Sequence, residues 1–336
     1  MNTPPPRGLS GFSHLVPEHA LGLVEAALGR RTTRVCNPLT SYINRVYEVE
    51  LEGGDRVVAK FYRPGRWSPE ALQDEQDFLL ELHHEELPVI APLPGINGDT
   101  LHRSDDMYFA VFPKRGGRAL DEPNAAQWRE IGRLLARVHV IGARHATRDR
   151  ILMAPDASTE GHIQVLLDDH ISRPDLAERF EATVDAILDL INPLFDDVDA
   201  IRIHGDCHKN NMIWRPGEAL SLMDFDDMAE GPAVQDLWML LPGRLRDAVP
   251  EAGLLLEGYE TFRAFNRAHL RLIEPLRFMR MIHYLAWCAR QQHDGGFQQL
   301  APDWGSEAFW QAEIDSLSEQ HQAILEALDT PLPSAP

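Results

Sequence analysis

Cysteine is scarce in this sequence of 336 residues, which contains only Cys36, Cys207 and Cys288. Three cysteines so far apart provide neither a disulfide framework nor a cluster of thiolate metal ligands. Disulfide frameworks are typical of oxidising compartments, so this composition favours a reducing one. We therefore expect a cytoplasmic location.

Long hydrophobic runs are also missing. No apolar stretch approaches the roughly 20 residues that an α-helix needs to cross a bilayer. The N-terminus, Met1–Ser10, is rich in proline and lacks the basic-then-apolar order of a signal peptide. These observations predict a protein without a membrane partner.

Basic residues are outnumbered, with 32 Lys and Arg against 52 Asp and Glu and a formal net charge of -20. A surface this acidic repels nucleic acids and anionic membranes, so we predict no nucleic-acid partner. A polyanionic ligand would bind such a chain only in a locally positive pocket. A few well-placed lysines and arginines should therefore matter.

The remaining composition is that of an ordinary folded protein, with 44% hydrophobic and 25% charged residues. The length exceeds one small hydrophobic core, so we predict two lobes. The predicted organisation is a flexible arm at 1–16, an N-terminal nucleotide-binding lobe at 17–113, a helical C-terminal lobe at 114–330 and a flexible tail at 331–336.

Strand signals dominate the N-terminal lobe, and helical periodicity takes over after Pro113. The first lobe is predicted to contain a helix over Glu18–Leu28, a hairpin of Arg45–Leu51 and Arg56–Tyr62, and a second strand pair around Asn97-Gly98-Asp99 that ends in Met107–Phe112. The second lobe is predicted to contain a strand–loop–strand over Ala200–Met223 and helices over Gln127–Ile141, Pro174–Leu190, Val234–Leu241, Leu254–Ala268, Pro275–Gln292 and Ala308–Leu328. This segregation of strands from helices predicts an α+β fold.

Candidate catalytic residues are concentrated in the strand–loop–strand segment. Asn211 follows Asp206 by five residues, and Asp224 lies 18 residues after Asp206. Protein kinases use an Asp as base, an Asn five residues later and a further Asp, the last two as Mg²⁺ ligands. Mg²⁺ prefers the oxygen ligands that these side chains carry. We predict Asp206 as the catalytic base, Asn211 and Asp224 as metal ligands, and ATP and Mg²⁺ as cofactors.

Lys60 lies in an apolar strand. A single strand lysine is usually a side chain that extends into water from an exposed edge. In a kinase, such a lysine holds the α- and β-phosphates and pairs with a glutamate on a helix. The helix predicted at Pro69–Leu82 carries Glu75 on its apolar face, where a carboxylate needs a cationic partner. We predict a Lys60–Glu75 ion pair, with Asp74 or Asp77 as the alternative partner.

Two other interpretations of His204-Gly-Asp-Cys-His208 are a transition-metal site and a nucleophilic Cys207. The metal interpretation leaves Lys60 and Glu75 unexplained, and the nucleophile lacks an identifiable orienting group. Both are therefore disfavoured.

Three polar residues near this segment are given less specific roles. Asp236 is predicted to cap a helix or brace a loop. His139 is predicted to be structural. Lys209 is either a neutralising group for the transferred phosphoryl group or a solvated loop lysine.

The sequence resembles the bacterial stress response kinase A family, within the aminoglycoside phosphotransferase/choline kinase superfamily. Beyond the catalytic motif, the resemblance spans about residues 36–290. It is carried by Ser41-Tyr-Ile-Asn-Arg-Val-Tyr47, Lys60-Phe-Tyr-Arg-Pro-Gly-Arg-Trp67, Tyr108-Phe-Ala-Val-Phe-Pro113, Gly231-Pro-Ala-Val-Gln-Asp-Leu-Trp-Met-Leu-Leu241, Glu274-Pro-Leu-Arg277 and Tyr284-Leu-Ala-Trp287.

This resemblance implies a bilobal protein-kinase-like fold, with an antiparallel sheet and one main helix in the first lobe. It implies Ser/Thr protein kinase activity and a cytoplasmic monomer that acts in a stress response. Ser41 would lie at the nucleotide-contacting loop, and Phe112 and Lys114 would belong to the hinge against the adenine. The loop at 39–44 contains no glycine, so the Gly-rich phosphate loop typical of protein kinases is missing. Ile43 and Asn210 also stand where relatives are expected to have Glu and Gly.

Three functions remain open from the sequence. The first is a kinase that phosphorylates Ser or Thr residues of proteins. The second keeps this chemistry but transfers phosphate to a small alcohol such as an amino alcohol, a sugar or an antibiotic. The third is a sensor that binds ATP without turnover, which the intact set of catalytic residues disfavours. The acidic composition would suit a cationic acceptor, although net charge alone does not decide this.

Overall fold

The computed structural model describes residues 12, 14–120, 122–215 and 217–331. The predicted arm and the predicted tail lie mostly outside these ranges, so their flexibility stays a prediction. No helix of the described residues has both the length and the apolar character that a membrane span requires.

A five-stranded antiparallel sheet with two helices forms the N-terminal part of the chain. Its elements are α1 (Pro17–Leu28), β1 (Thr32–Leu39), β2 (Arg45–Leu51), β3 (Arg56–Phe61), α2 (Pro69–His84), β4 (His102–Ser104) and β5 (Met107–Pro113). The strands lie in the order β1-β2-β3-β5-β4. Because β3 is a central strand, its Lys60 does not lie at a sheet edge, and the exposed-edge interpretation of this lysine is wrong.

The two faces of the sheet have different surroundings, because successive side chains of a strand point to opposite faces. One face carries Val49, Ala59 and Phe109, which form an apolar core together with α1. The opposite face carries Lys60 and Phe112. Phe112 packs against a small apolar cluster shared with α2 and also against the core of the C-terminal part. This second face borders the cleft between the two parts of the molecule.

The C-terminal part is mostly helical. Its helices are α3 (Ala125–Gly142), α4 (Glu160–Asp169), α5 (Pro174–Ile191), α6 (Val234–Trp238), α7 (Val249–Tyr259), α8 (Ile273–Gln291), α9 (Gly295–Leu300) and α10 (Glu307–Asp329). Its short strands are β6 (Ile201–Ile203), β7 (Met212–Ile213), β8 (Ser221–Leu222) and β9 (Ala229–Gly231), which pair antiparallel as β6–β9 and β7–β8. The predicted segregation of strands from helices is confirmed.

Several predicted elements differ from the structure. The second hairpin turns at Asp105-Asp106, between β4 and β5, and not at Asn97–Asp99. Asp105 has a φ of 54°, a left-handed conformation that aspartate tolerates better than most residues. The helix predicted at Leu254–Ala268 begins five residues earlier and ends at Tyr259, and a separate 3₁₀ helix capped by the Asn266 side chain begins at Arg267. The structure also has α4, which was not predicted, and α6 ends three residues before the predicted Leu241.

Candidate active site

Lys60 is surrounded by three carboxylates. Its Nζ lies 2.8 Å from Asp224 Oδ1, 3.4 Å from Glu75 Oε1 and 3.5 Å from Asp226 Oδ1. The predicted pair with Glu75 is present. The alternative partners are engaged elsewhere, since Asp74 accepts hydrogen bonds from the backbone of the loop after α3 and Asp77 pairs with Arg148.

The charges of this cluster support one another. Burial acts to lower the pKa of Lys60, but Asp224, Asp226 and Glu75 outweigh it and raise that pKa well above its usual value. Burial likewise raises the pKa of Glu75, whereas Lys60 opposes this rise. The ammonium therefore stays charged between the sheet and the acidic loop after β8, where it can meet further negative charge.

Glu75 connects α2 to two cations. Its Oε1 faces Lys60, and its Oε2 lies 3.6 Å from Arg150 Nη2. Arg150 donates from Nε to the Ala71 carbonyl at 2.7 Å and from Nη1 to the Asp226 carbonyl at 2.6 Å. The Glu75 side chain is only 1% exposed, so α2, the sheet and the acidic loop are joined through buried charges. Sequence reasoning missed Arg150, which no local pattern distinguishes from other loop arginines.

The segment Asp224–Asp227 contains more functional groups than the sequence analysis assigned. Asp224 has a φ of 61°, a strained conformation for a non-glycine residue, and its side chain is 46% exposed. Asp226 and Asp227 instead bind the guanidinium of Arg66, and Asp226 also accepts from Asn44 Nδ2 at 3.1 Å. Asp224 was already singled out by its spacing, but only the fold shows that Arg66 binds Asp226 and Asp227 while Asp224 stays exposed beside Lys60.

The loop between β6 and β7 carries Asp206, and the Asp236 side chain holds its backbone by hydrogen bonds. The carboxylate of Asp236 accepts the backbone N–H of His204 at 2.8 Å and that of Gly205 at 2.9 Å. His139 lies between Asp236 and the hydroxyl of Tyr259, at 2.9 Å from each. The loop-bracing interpretation of Asp236 and the structural interpretation of His139 are confirmed. Asp236 does not cap α6.

Asn211 links the Asp206 loop to the segment that carries Asp224. The side-chain Nδ2 of Asn211 donates to the backbone carbonyl of Asp206 at 3.0 Å. The backbone carbonyl of Asn211 accepts the N–H of Met223 at 3.0 Å. Because the amide nitrogen is used as donor, the side-chain oxygen is left as an acceptor or metal ligand. Lys209 begins the 3₁₀ turn that ends at Asn211, and its role stays open.

Asp206 has a basic side chain as partner on each carboxylate oxygen. Oδ1 lies 2.9 Å from Arg280 Nη2, and Oδ2 lies 3.4 Å from His208 Nε2. Burial acts to raise the pKa of Asp206, but the hydrogen bond from His208 and the charge of Arg280 outweigh it and hold that pKa well below its usual range. The carboxylate is therefore ionised. Arg280 was not identified from the sequence, because it lies 74 residues away on α8.

The two disfavoured interpretations of His204–His208 are wrong. His204 is buried with its Nε2 bound to the carbonyl of Met223 at 2.9 Å. The thiol of Cys207 is fully buried, and burial raises its pKa well above the usual value, so it is not a nucleophile. Among the described residues no three His, Cys, Asp or Glu side chains converge as a metal-binding group.

Ser41 lies half-buried in the loop between β1 and β2. Side chains rather than glycines position this loop. The Tyr42 hydroxyl donates to Asp294 Oδ1 at 3.3 Å. The ring centroids of Tyr42 and Trp287 lie 5.5 Å apart in an edge-to-face arrangement. Arg63 donates from Nε to the Ile43 carbonyl at 2.8 Å. The loop is thereby connected to the C-terminal end of α8, across the cleft.

The predicted hinge residues lie at the end of β5. Phe112 is opposite Val58 in the sheet and is half-buried on the cleft side. Lys114 is exposed, its Nζ lies 2.7 Å from Glu48 Oε2, and its backbone N–H donates to the Arg56 carbonyl at 3.0 Å. The structure therefore places Phe112 at the cleft, while the side chain of Lys114 is engaged with β2.

A cavity of about 590 Å³ opens beside Asp206. It lies between the Ile43 loop, α4 and α8. The described residues that line it include four aromatic side chains and three arginines, namely Trp67, Trp238, Tyr284, Trp287, Arg66, Arg277 and Arg280. Its volume is in the range of small-ligand sites. Asp206 is one of the lining residues and its side chain is 22% exposed, so a bound molecule can approach the carboxylate.

The donor set fits a Mg²⁺–nucleotide site. Asp224 and Asn211 offer one carboxylate and one amide oxygen, and Lys60 is a charged group beside them. Mg²⁺ in kinases is held by one or two side chains and by phosphate oxygens, and does not need a cluster of protein ligands. These residues would hold the metal and the phosphates at the cleft between the two parts.

Comparison with known proteins shows the family. The model of the phosphotransferase enzyme family matches residues 35–273. Stress response kinase A of Salmonella paratyphi A is 37% identical over 303 residues, which cover 89% of this chain and 90% of the relative. Serine/threonine protein kinase RdoA of Salmonella typhimurium is 37% identical over 294 residues, which cover 86% and 88%. The chain belongs to the phosphotransferase enzyme family and, within it, to the stress response kinase A family.

A solved structure of amicoumacin kinase, in complex with AMP-PNP, Ca²⁺ and its ligand, has the same fold. The TM-score is 0.71 at 18% sequence identity, and the match covers 94% of each chain. At this identity the likeness shows the fold alone. The bilobal kinase-like architecture predicted from the sequence is confirmed.

Proposed function

We propose that this protein is an ATP- and Mg²⁺-dependent kinase that phosphorylates Ser or Thr residues of proteins. The observation that carries the proposal is the contact of Lys60 with Asp224 and Glu75, with Asp206 in the wall of the neighbouring cavity. These are the side-chain types that a kinase uses, and an ionised Asp206 in a cavity wall supports its assignment as the base.

In the proposed reaction, the acceptor hydroxyl lies against Asp206. Its oxygen attacks the γ-phosphorus of ATP, its proton passes to Asp206, and the bond to the β–γ bridging oxygen breaks, so that ADP leaves. Lys60 binds the α- and β-phosphates and disperses their charge. Mg²⁺, held by Asn211 and Asp224, would neutralise phosphate charge when bound.

Glu75 positions the lysine in this proposal and does not contact the nucleotide. Ser41 and the backbone of its loop would cover the phosphates, because the contacts of Tyr42 and Arg63 hold that loop above the cleft. The half-buried ring of Phe112 would form part of the adenine slot. Lys114 would contribute through its backbone at the hinge, since its ammonium pairs with Glu48.

The names of the relatives support the protein acceptor and the stress role. Proteins named stress response kinase A and serine/threonine protein kinase RdoA match about nine-tenths of this chain. We propose on this basis that the protein acts in a bacterial stress response, as a cytoplasmic monomer. The composition, with three cysteines and a net charge of -20, is consistent with that location.

A second candidate is phosphate transfer to a small alcohol. It is favoured by the volume of the cavity, about 590 Å³, which would enclose a small ligand. The similar fold of a protein named amicoumacin kinase is compatible with the same candidate. The chemistry at Asp206 would be unchanged, and only the acceptor would differ.

The test is an incubation with γ-labelled ATP and Mg²⁺, with a generic protein acceptor or a panel of small alcohols. Asp206→Ala and Asp224→Ala, checked for folding, are the inactive variants, and Asp315→Ala on α10 is the matched control. Label on Ser or Thr that disappears in both inactive variants supports the proposal. Label on small alcohols alone supports the second candidate. Mg²⁺-dependent ATP binding without turnover indicates a sensor, and the absence of ATP binding contradicts all three.

A further inference from the structure

The wall of the acceptor cavity has a charge opposite to that of the whole chain. The net charge is -20, yet the described lining residues include three arginines and two aspartates, Asp206 and Asp227. Two of these arginines form ion pairs with carboxylates of the protein. Arg66 binds Asp226 and Asp227, and Arg277 lies 3.4 Å from Glu274 and over the ring of Trp238.

Arg280 differs from these two arginines in its partner. Its Nη2 lies 2.9 Å from Oδ1 of Asp206, the carboxylate that faces the acceptor hydroxyl in the proposed function. The Arg280 side chain is 44% exposed on the cavity side of α8, whereas that of Asp206 is 22% exposed. The guanidinium of Arg280 is thus accessible to a ligand while it forms an ion pair with the proposed base, Asp206.

An acceptor hydroxyl would share Asp206 with Arg280 and His208. A hydroxyl that donates its proton needs a carboxylate oxygen at about 2.6–3.2 Å. Arg280 occupies one oxygen, and His208 faces the other at 3.4 Å. Each carboxylate oxygen can accept more than one hydrogen bond, so the hydroxyl can bind Asp206 beside Arg280. When Asp206 takes up the proton in the proposed reaction, Arg280 loses the negative charge that neutralises it. A nearby anion on the acceptor then stabilises the guanidinium, since an unpaired charge in a partly closed site is costly.

We propose that Arg280 is a specificity-determining residue that selects acceptors with a carboxylate or a phosphate next to the reacting hydroxyl. The planar guanidinium binds either group through paired hydrogen bonds. A cationic acceptor would meet the like charge of Arg280 and is disfavoured. In a peptide, the anion lies within about two residues of the phosphorylated one, because consecutive Cα atoms are about 3.8 Å apart. The inference rests on the proposed function, because Arg280 selects the acceptor only if Asp206 receives its hydroxyl.

The test uses three serine peptides that differ only in the flanking residues, which are Asp, Gln or Lys. We expect wild-type kcat/KM to be highest for the Asp peptide and about tenfold or more lower for the Lys peptide. Arg280→Gln should abolish this order, measured as the ratios of kcat/KM among the three peptides and whatever its effect on the absolute rate. Arg280→Lys keeps the charge and should keep the order. Arg179→Gln, an exposed arginine on α5, is the control and should behave as wild type.

Two results would overturn the inference. One is a wild-type enzyme that shows no order among the three peptides. The other is an Arg280→Gln variant that loses activity equally on all three, because Arg280 would then only hold Asp206. Glycerate, glycerol and ethanolamine form a parallel series. Transfer to these alcohols and not to peptides would contradict the protein acceptor, and the same comparison of anionic, neutral and cationic members would still decide the role of Arg280.

Discussion

Lys60 Nζ and Asp224 Oδ1 lie 2.8 Å apart although 164 residues separate them in the chain. This ion pair joins the central strand of the sheet to the acidic segment after β8, and it therefore links the N-terminal and C-terminal parts of the molecule. Glu75 on α2 approaches the same ammonium from the other side at 3.4 Å. Electrostatic contacts with Lys60 therefore hold both α2 and the acidic segment against the sheet.

The first prediction concerns Glu75→Gln. The change removes the buried charge that Lys60 and Arg150 share, and should lower the free energy of unfolding by about 2 kcal/mol, the usual effect of losing a charged hydrogen bond. It should also raise KM for ATP, because Lys60 is held less firmly. Denaturant unfolding and steady-state kinetics measure both effects.

Glu70→Gln is the matched control for this prediction, because Glu70 is exposed in the first turn of the same helix. It should change stability by less than about 0.5 kcal/mol. Equal losses in the two variants would show that the Lys60–Glu75 contact contributes nothing specific.

Gly205→Ala tests the backbone beside the proposed base. Gly205 has a φ of 81°, and a Cβ there would overlap the carbonyl oxygen of Asp227. We expect kcat to fall at least about tenfold, since the Asp206 loop must move, and the free energy of unfolding to fall by about 2–3 kcal/mol. Activity and denaturant unfolding are the measurements.

Gly305→Ala separates the clash from the dihedral strain. Gly305 has a φ of 75° but no neighbouring atom within 4 Å of a Cβ. It should lose only about 1 kcal/mol and keep full activity. If Gly205→Ala is no more harmful than this control, the close packing against Asp227 has no energetic importance.

The stability of the cavity wall should depend on pH through His283. Burial lowers the pKa of His283 to about 3, with His162 and Arg290 adding to the effect. Its folded-state pKa is therefore below the unfolded value of about 6.5, so its contribution to stability is present above pH 6.5 and is lost as pH falls toward 3.

We expect His283→Gln to be less sensitive to acid than the wild type. Between pH 7 and pH 5 the difference should reach about 1–2 kcal/mol, since one proton changes the free energy by about 1.4 kcal/mol per pH unit. Denaturant unfolding at several pH values measures it, with the exposed His145→Gln as control. A wild type and a His283→Gln variant with parallel pH profiles would contradict the prediction.

Tyr42→Ala tests the tether of the glycine-free loop. The ring centroids of Tyr42 and Trp287 lie 5.5 Å apart, and the Tyr42 hydroxyl donates a hydrogen bond to Asp294 Oδ1 at 3.3 Å. Aromatic pairs contribute about 0.5–1.5 kcal/mol, so KM for ATP should rise about three- to tenfold with little change in kcat. Tyr42→Phe should have a smaller effect, and Phe262→Ala, an exposed aromatic, none. An unchanged KM in Tyr42→Ala would show that the tether does not position the loop for ATP.

Parts of the site could be predicted because the signal was local. The spacing of Asp206 and Asn211 fits one short loop, and the helical period placed Glu75 on the buried face of α2 beside Lys60. Asp236 and His139 were assigned to structural roles for the same reason, since each lies within an apolar helical pattern. The second hairpin was misplaced because Asn97-Gly98-Asp99 is a stronger local turn signal than Asp105-Asp106, and pairing with β5 decided the register.

Other parts could not be predicted. Arg66, Arg150 and Arg280 carry no distinguishing local pattern, and each finds its carboxylate partner far away in the chain, at 160, 75 and 74 residues for Asp226, Glu75 and Asp206. Such pairs depend on how helices and loops of both lobes pack together. Periodicity reports which face of an element is buried, but not which distant charge it meets.

The sequence by itself determined the α+β class and the spacing of the proposed catalytic residues Asp206, Asn211 and Asp224, because these follow from local periodicity and from side-chain type. The tertiary structure alone decided the character of the proposed acceptor cavity. A net charge of -20 suggested that a cationic acceptor would suit the chain, whereas the described cavity wall includes Arg277 and places Arg280 at 2.9 Å from Asp206. Electrostatic forces on a ligand fall off within about 10 Å in salt, so the few charges that the fold brings to one wall outweigh the total.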